Sequence, residues 1–169
     1  MQGTIVAEVT QKDLRSKSNR VATKGADRMK ISARNQLKGT ISAVKEGAVN
    51  GVVSVDIGGQ VVKCDITMEA IKDLALAEGK PATVVIKATN VLIASGSEPL
   101  KNISARNQFV GTISKVKKGA VNGHVGLDIM GGNKITASIT NEAIETLGLV
   151  EGGQAVAIVK ATDVLVAID

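Results

Sequence analysis

The feature that most constrains this chain is that it carries nearly the same sequence twice. Residues 31–57 and 103–129 are identical at 20 of 27 positions at an offset of 72. The second copy gains one residue near Gly131-Gly132, and from there the segment beginning at Asp65 answers the one beginning at Ser138 at an offset of 73. A chain with such internal self-similarity folds as like units packed against one another. The repeats occupy 31–95 and 103–169, joined by a Gly/Ser/Pro-bearing linker at 96–102, and residues 1–30 form a basic N-terminal extension without a counterpart. A unit of this size buries only about 60% of its surface. Each repeat therefore gains by packing against the other and against further copies, and an oligomer is expected.

Inside each repeat the apolar residues mostly alternate, which is the signature of half-buried strands. Strands are expected near 38–45, 51–57, 60–66, 82–87 and 90–94, with equivalents in the second copy. Gly47-Ala48-Val49-Asn50-Gly51 and Gly58-Gly59 have turn composition. A short helix is expected from Met68 to about Ala75, with Thr67 as its N-cap and Glu69 in its first turn. The chain has no Trp, no Tyr and a single Phe, so β-branched and small aliphatic residues must fill the core, and these favour strands. The expected fold is mainly β: two tandem OB-like β-barrels, each with one short helix.

Composition excludes several functions. The net charge of +5 invites a nucleic-acid reading, but single-strand binders stack bases on aromatic side chains that this chain lacks. Residues 1–30 hold seven basic and three acidic residues, +4 of the total +5, so the repeats are nearly neutral. A lone cysteine, Cys64, forms no intramolecular disulfide, and no Cys/His cluster offers a zinc site. No secretory h-region and no apolar run of membrane-spanning length is found, so no membrane partner is expected and the cytoplasm is the default location. Neither repeat pairs two carboxylates or sets a nucleophile beside a base, so no enzyme is expected.

Three elements recur in both copies and suit an oxyanion. Ser32-Ala33-Arg34-Asn35 and Ser104-Ala105-Arg106-Asn107 each offer a hydroxyl, a guanidinium fork, an amide and a run of backbone N–H groups. A tetrahedral dianion loses its hydration on binding and needs charge-assisted hydrogen bonds in return. Lys87-Ala88 and Lys160-Ala161 interrupt apolar strands, where a lysine either snorkels to solvent or meets a negative partner. Thr67 and Thr140 open the helices, whose free N–H groups favour anions, although Glu69 and Glu142 serve the helix dipole equally well. Blander readings stand beside these. The arginine segment also suits a strand-entry loop holding a structural ion pair, and each threonine suits a simple cap. His124, replaced by Val52 in the first copy, reads as an exposed residue, and Cys64, replaced by Ala137, as a small packing residue. Met29, Met68 and Met130 share no ligand spacing.

Ser-Ala-Arg-Asn-Gln followed by Gly-Thr-Ile, Gly-Ala-Val-Asn, Ile-Thr-x-Glu-Ala-Ile and Lys-Ala-Thr, twice over, resembles the molbindin (Mop) family, and the likeness runs from about 31 to 168. The resemblance implies a Mop/TOBE-type barrel with a strand exchanged between neighbouring units. It implies binding and storage of molybdate or tungstate, held between barrels and bound as the oxyanion with no protein ligand to the metal. Ser32, Ala33, Arg34 and Asn35 would form one wall, with Lys87 and Ala88 from a neighbouring barrel. Ser104, Ala105, Arg106, Asn107, Lys160 and Ala161 would repeat these roles, with Thr67 and Thr140 as further contributors. Tandem members of this kind resemble homotrimers with additional axial anions.

The alternative is the molybdate-sensing effector module of a regulator lacking its DNA-binding domain. Thirty residues before the repeats are too few for a winged helix, which disfavours a repressor. Residues 1–11 read as a short strand and 12–30 as a basic connector, either a tail or an arm that docks elsewhere.

Overall fold

A computed structural model describes residues 30–168; the strand expected within residues 1–11 and the basic connector that follows lie outside the described residues, apart from Lys30. The first repeat forms β1 (Asn35–Lys45), β2 (Asn50–Asp56), β3 (Val61–Thr67), helix α1 (Met68–Asp73), β4 (Pro81–Ile86) and β5 (Leu92–Ser95). The second forms β6 (Asn107–Lys118), β7 (Asn122–Ile129), β8 (Lys134–Thr140), helix α2 (Asn141–Thr146), β9 (Gln154–Val159) and β10 (Val164–Ala167).

The strands assemble into two five-stranded sheets of order β10-β4-β1-β2-β3 and β5-β9-β6-β7-β8. The last strand of each repeat is therefore exchanged. β5 pairs antiparallel with β9, setting Leu92 opposite Ile158, and β10 pairs with β4, setting Val164 opposite Ile86. In the first sheet the edge strands β10 and β3 approach without pairing, which leaves a curled, partly open barrel.

The long strand β1 serves two partners, β4 along its first half and β2 along its second, and β6 does the same with β9 and β7. The register slips between Ile41 and Ala43, and again between Ile113 and Lys115. Such bulges bend the strand and increase its twist, which curls the sheet. The bend brings neighbouring backbone close. A Cβ at Gly111 would lie 2.5 Å from the Asp128 carbonyl oxygen, and one at Gly39 would meet Asp56 in the same way. That contact explains the glycine of both Gly-Thr-Ile motifs.

The alternation seen in the sequence is the alternation of burial. Val53, Val55, Val62 and Val84 of the first sheet, and Val125, Leu127, Ile135 and Ala157 of the second, are wholly buried. Buried side chains of both repeats form one continuous core, with Phe109 as its aromatic member. Cys64 is a packing residue inside it, and burial pushes its thiol up to about 12.

The helices are shorter than the pattern suggested. Thr67 Oγ1 accepts from the Ala70 amide at 3.2 Å and Thr140 Oγ1 from Ala143 at 3.1 Å, so both are N-caps as expected. The first helix ends at Asp73, because Ala75 turns into the left-handed region at φ 47°. Its counterpart is Gly148, at φ 60°, a residue suited to that conformation. The Lys87 and Lys160 segments fall at the break expected between the last two strands of each repeat. Turns of 3-10 helix at Ala88–Asn90 and Ala161–Asp163 separate β4 from β5 and β9 from β10, and each lysine stands exposed at the start of its turn.

Candidate oxyanion site

The strand register decides which of the recurrent residues meet. β6 and β9 run antiparallel with Asn107 opposite Val159. The residues that precede Asn107 and those that follow Val159 therefore leave the sheet at the same end. There Ser104, Ala105 and Arg106 line one pocket of about 160 Å³ with Lys160, Ala161 and Thr162. The first repeat obeys the same register, with Asn35 opposite Ile86. Ser32, Ala33 and Arg34 thus leave the sheet at the same end as Lys87 and Ala88.

Within one chain, this arrangement already brings the lysine segment of the second repeat beside the arginine segment. Lys87 and Ala88, with their counterparts Lys160 and Ala161, were expected from a neighbouring barrel. In the second repeat the lysine stands beside its own arginine segment, because those segments flank paired strands of one sheet. Thr162 joins the lining as well. The Lys-Ala-Thr repetition carried that signal, and only the alanine and lysine were singled out in it.

The pocket is a set of donors. It holds one guanidinium, one ammonium and two hydroxyls, and no acidic residue lines it. Arg106 and Lys160 are both exposed, so an ion reaches them from solvent. Charged donors converging on a small space replace the hydration of a multiply charged oxyanion, and the arginine fork adds geometric selectivity.

The asparagines of the motif make contacts between the repeats. Asn35 and Asn107 are each 2% exposed and reach across to the other repeat. Asn107 Nδ2 donates to the Lys63 carbonyl at 2.8 Å, and its Oδ1 accepts from the Lys63 amide at 2.8 Å. Asn35 does the same with Thr136, at 2.8 and 2.7 Å. Each carboxamide pairs with the backbone of β3 or β8 as a neighbouring strand would. These contacts tie each arginine segment to the other repeat, and Asn107 is not among the residues that line the second-repeat pocket.

Thr67 and Thr140 lie apart from that pocket, with their hydroxyl oxygens engaged as caps. His124, expected to be exposed, is half-buried and lines a separate cleft with Arg34. Among the described residues, no group of three or more His, Cys, Asp and Glu side chains is placed to hold a metal ion. No helix there is long and apolar enough to cross a membrane.

The TOBE domain model matches this chain twice, over residues 31–93 and 103–166. The chain belongs to the TOBE-domain family, as a tandem molbindin. This chain is 43% identical over 141 residues to ModE of Herbaspirillum seropedicae, a molybdenum transport protein, across 83% of its own length and 52% of that protein. It is 36% identical over 140 residues to MopA of Rhodobacter capsulatus, a molybdenum-pterin-binding protein, across 82% of this chain and 52% of that one. It thus spans about half the length of these curated relatives. Molybdenum-pterin-binding protein 2 of Clostridium pasteurianum matches 65 residues at 49% identity, 38% of the molbindin and 96% of that shorter protein. Among solved structures, the cytoplasmic molybdate-binding protein ModG, in a form with molybdate bound, superposes with a TM-score of 0.79 at 44% identity, over 83% of the molbindin and all of that chain.

Proposed function

We propose that this protein binds and stores molybdate, or tungstate, as the intact oxyanion in the cytoplasm, without catalysing a reaction on it. The observation that carries the reading is the pocket of Ser104, Ala105, Arg106, Lys160, Ala161 and Thr162, which brings two cations and two hydroxyls together with no carboxylate. Ser32, Ala33, Arg34, Lys87 and Ala88 make its equivalent in the first repeat. The relatives' names support the choice of anion, and the absence of an acidic lining residue supports discrimination against phosphate, whose proton finds no carboxylate to accept it.

The working unit of this reading is a homo-oligomer, a trimer, with sites completed between copies by the Thr67 and Thr140 helix starts. Exposed apolar side chains recur at equivalent positions of the two repeats: Val49 and Val121 are 76% and 71% exposed, and Leu92 and Leu165 are 54% and 59% exposed. Repeated apolar exposure suits contact with further copies.

Molybdate titrations of the full chain and of Arg106→Ala with Lys160→Ala test the site. Loss of the charged donors should cost about 2–5 kcal/mol at the affected site, with little change in melting temperature because both side chains are exposed. Unchanged affinity would remove these residues from the site.

A further inference from the structure

The two arginine segments sit over two clefts related by the duplication, and the clefts have diverged. One is lined by Arg34, Lys115, Lys117, His124, Gly126 and Thr136, with a volume of about 290 Å³. Its counterpart has Arg106 over the outer face of the first sheet, with Ala43, Lys45, Val52, Ser54 and Lys63 at the matching positions. Glu46 also lines that second cleft, and the Lys63 ammonium there donates to Ser54 Oγ at 2.8 Å. The Arg34 cleft has no acidic lining residue, and it substitutes Lys115 for Ala43, His124 for Val52 and Gly126 for Ser54.

The sheet fixes the geometry. Lys117 stands opposite His124, which stands opposite Ser138, and one rung away Lys115 stands opposite Gly126, which stands opposite Thr136. Period two turns His124 and Gly126 outward while Val125 and Leu127 are buried in the core. The Asn35–Thr136 hydrogen bonds hold the neighbouring Arg34 over this face. Gly126 is the floor: a Cβ there would lie 3.6 Å from the Lys115 Cβ, in ordinary contact, so a larger residue would fill the cleft without straining the backbone.

We propose that this cleft is a second anion site, one that takes a phosphate group, either inorganic phosphate or the phosphate of a small monoester. Arginine and lysine are the side chains that grip phosphate. The distinction from the smaller pocket is His124. Beside Arg34, Lys115 and Lys117 its ring nitrogens add hydrogen-bonding atoms for phosphate oxygens, where the smaller pocket has only hydroxyls beside its two cations. The cleft is nearly twice the volume of the Ser104–Thr162 pocket, which leaves room for an ester substituent. The cleft shares no residue with the Ser104–Thr162 pocket, and it rests on the proposed reading only in that Arg34 also borders the first-repeat oxyanion position.

The test is calorimetric titration of the full chain, saturated with molybdate, with inorganic phosphate and separately with glycerol 3-phosphate. The variants are Lys115→Ala with His124→Val, and Gly126→Ser. Each installs the residue that the first repeat already holds at the same position of the same strand, which keeps the fold intact. Binding of either ligand by the parent chain, weakened at least tenfold in both variants with molybdate stoichiometry unchanged, is the expected result. The two ligands distinguish the free ion from the ester. Ala43→Lys with Val52→His and Ser54→Gly should add phosphate binding to the other cleft. No phosphate or ester binding at millimolar concentration overturns the proposal, as does binding that both variants retain. Loss of a molybdate equivalent in the variants would give the cleft to molybdate and overturn it too.

Discussion

Asn35 and Thr136, 101 positions apart, exchange two hydrogen bonds across the repeats: the Asn35 carboxamide donates to the Thr136 carbonyl at 2.8 Å and accepts from its amide at 2.7 Å. Asn107 and Lys63 make the mirror arrangement. The asparagine of the recurrent Ser-Ala-Arg-Asn segment therefore works as a fastener, and the serine and arginine before it are presented by that anchorage. Replacing Asn35 or Asn107 by Ala leaves a backbone amide and carbonyl unpaired in a buried setting. Each substitution should destabilise the fold by about 2–4 kcal/mol, read from urea denaturation. A loss below a few tenths of a kcal/mol would show that water replaces the carboxamide freely.

The exchanged strands predict the behaviour of one repeat alone. Residues 31–95 include β5, whose partner β9 lies in the other repeat, and lack β10, which completes the sheet at β4. A fragment of residues 31–95 should therefore associate, each copy giving its β5 to the other's β4, and native mass spectrometry should find even-numbered species. A stable folded monomer would mean that β5 can return to its own sheet.

Ala75 and Gly148 close their helices in the same left-handed conformation, at φ 47° and 60°. The conformation costs a residue with a Cβ about 1–2 kcal/mol, and the added freedom of glycine in the unfolded chain returns part of that. Ala75→Gly should stabilise the protein by about 0.5–1 kcal/mol in thermal unfolding. Destabilisation would mean that the alanine methyl makes contacts that outweigh the strain.

Acid should weaken the fold through three carboxylates. The Gly59 and Gly58 amides hold the Asp56 carboxyl below its ordinary 3.8, hydrogen bonds from Lys134 and then Ser114 do so for Asp128, and Lys118 holds Glu145 below its ordinary 4.5. A group depressed in the folded state contributes stability that is present above its unfolded value and lost as pH falls through its folded value. The urea midpoint should thus hold steady down to about pH 5 and drop below pH 4, less steeply in Asp56→Asn. An identical slope in that variant would assign the acid sensitivity to the other carboxylates.

Much of this was legible in the sequence. The duplication gave two like units, alternation gave the strands, and Thr67 and Thr140 gave the caps. What escaped depends on pairing between distant segments. The exchange of β5 and β10 was expected from the family resemblance alone, because no local pattern carries it: each strand is as apolar in its own repeat as in the other. Asn35 reads as a ligand because a polar residue in a polar motif gives no sign of a partner 101 positions away. His124 looks like a stray surface residue until the sheet sets Lys117 opposite it and the other repeat's Arg34 in the same cleft. The meeting of Arg106 with Lys160 was within reach, because both flank strands that the duplication aligns, yet antiparallel pairing alone places them at one end.

The most direct test of the central claim is calorimetric titration of the full chain with molybdate and, in parallel, with sulfate, with the mass of the assembly measured before and after. The account predicts molybdate binding at more than one anion per chain, from an oligomer, with sulfate at least a hundredfold weaker. Equal binding of sulfate, or no binding of molybdate, would contradict it.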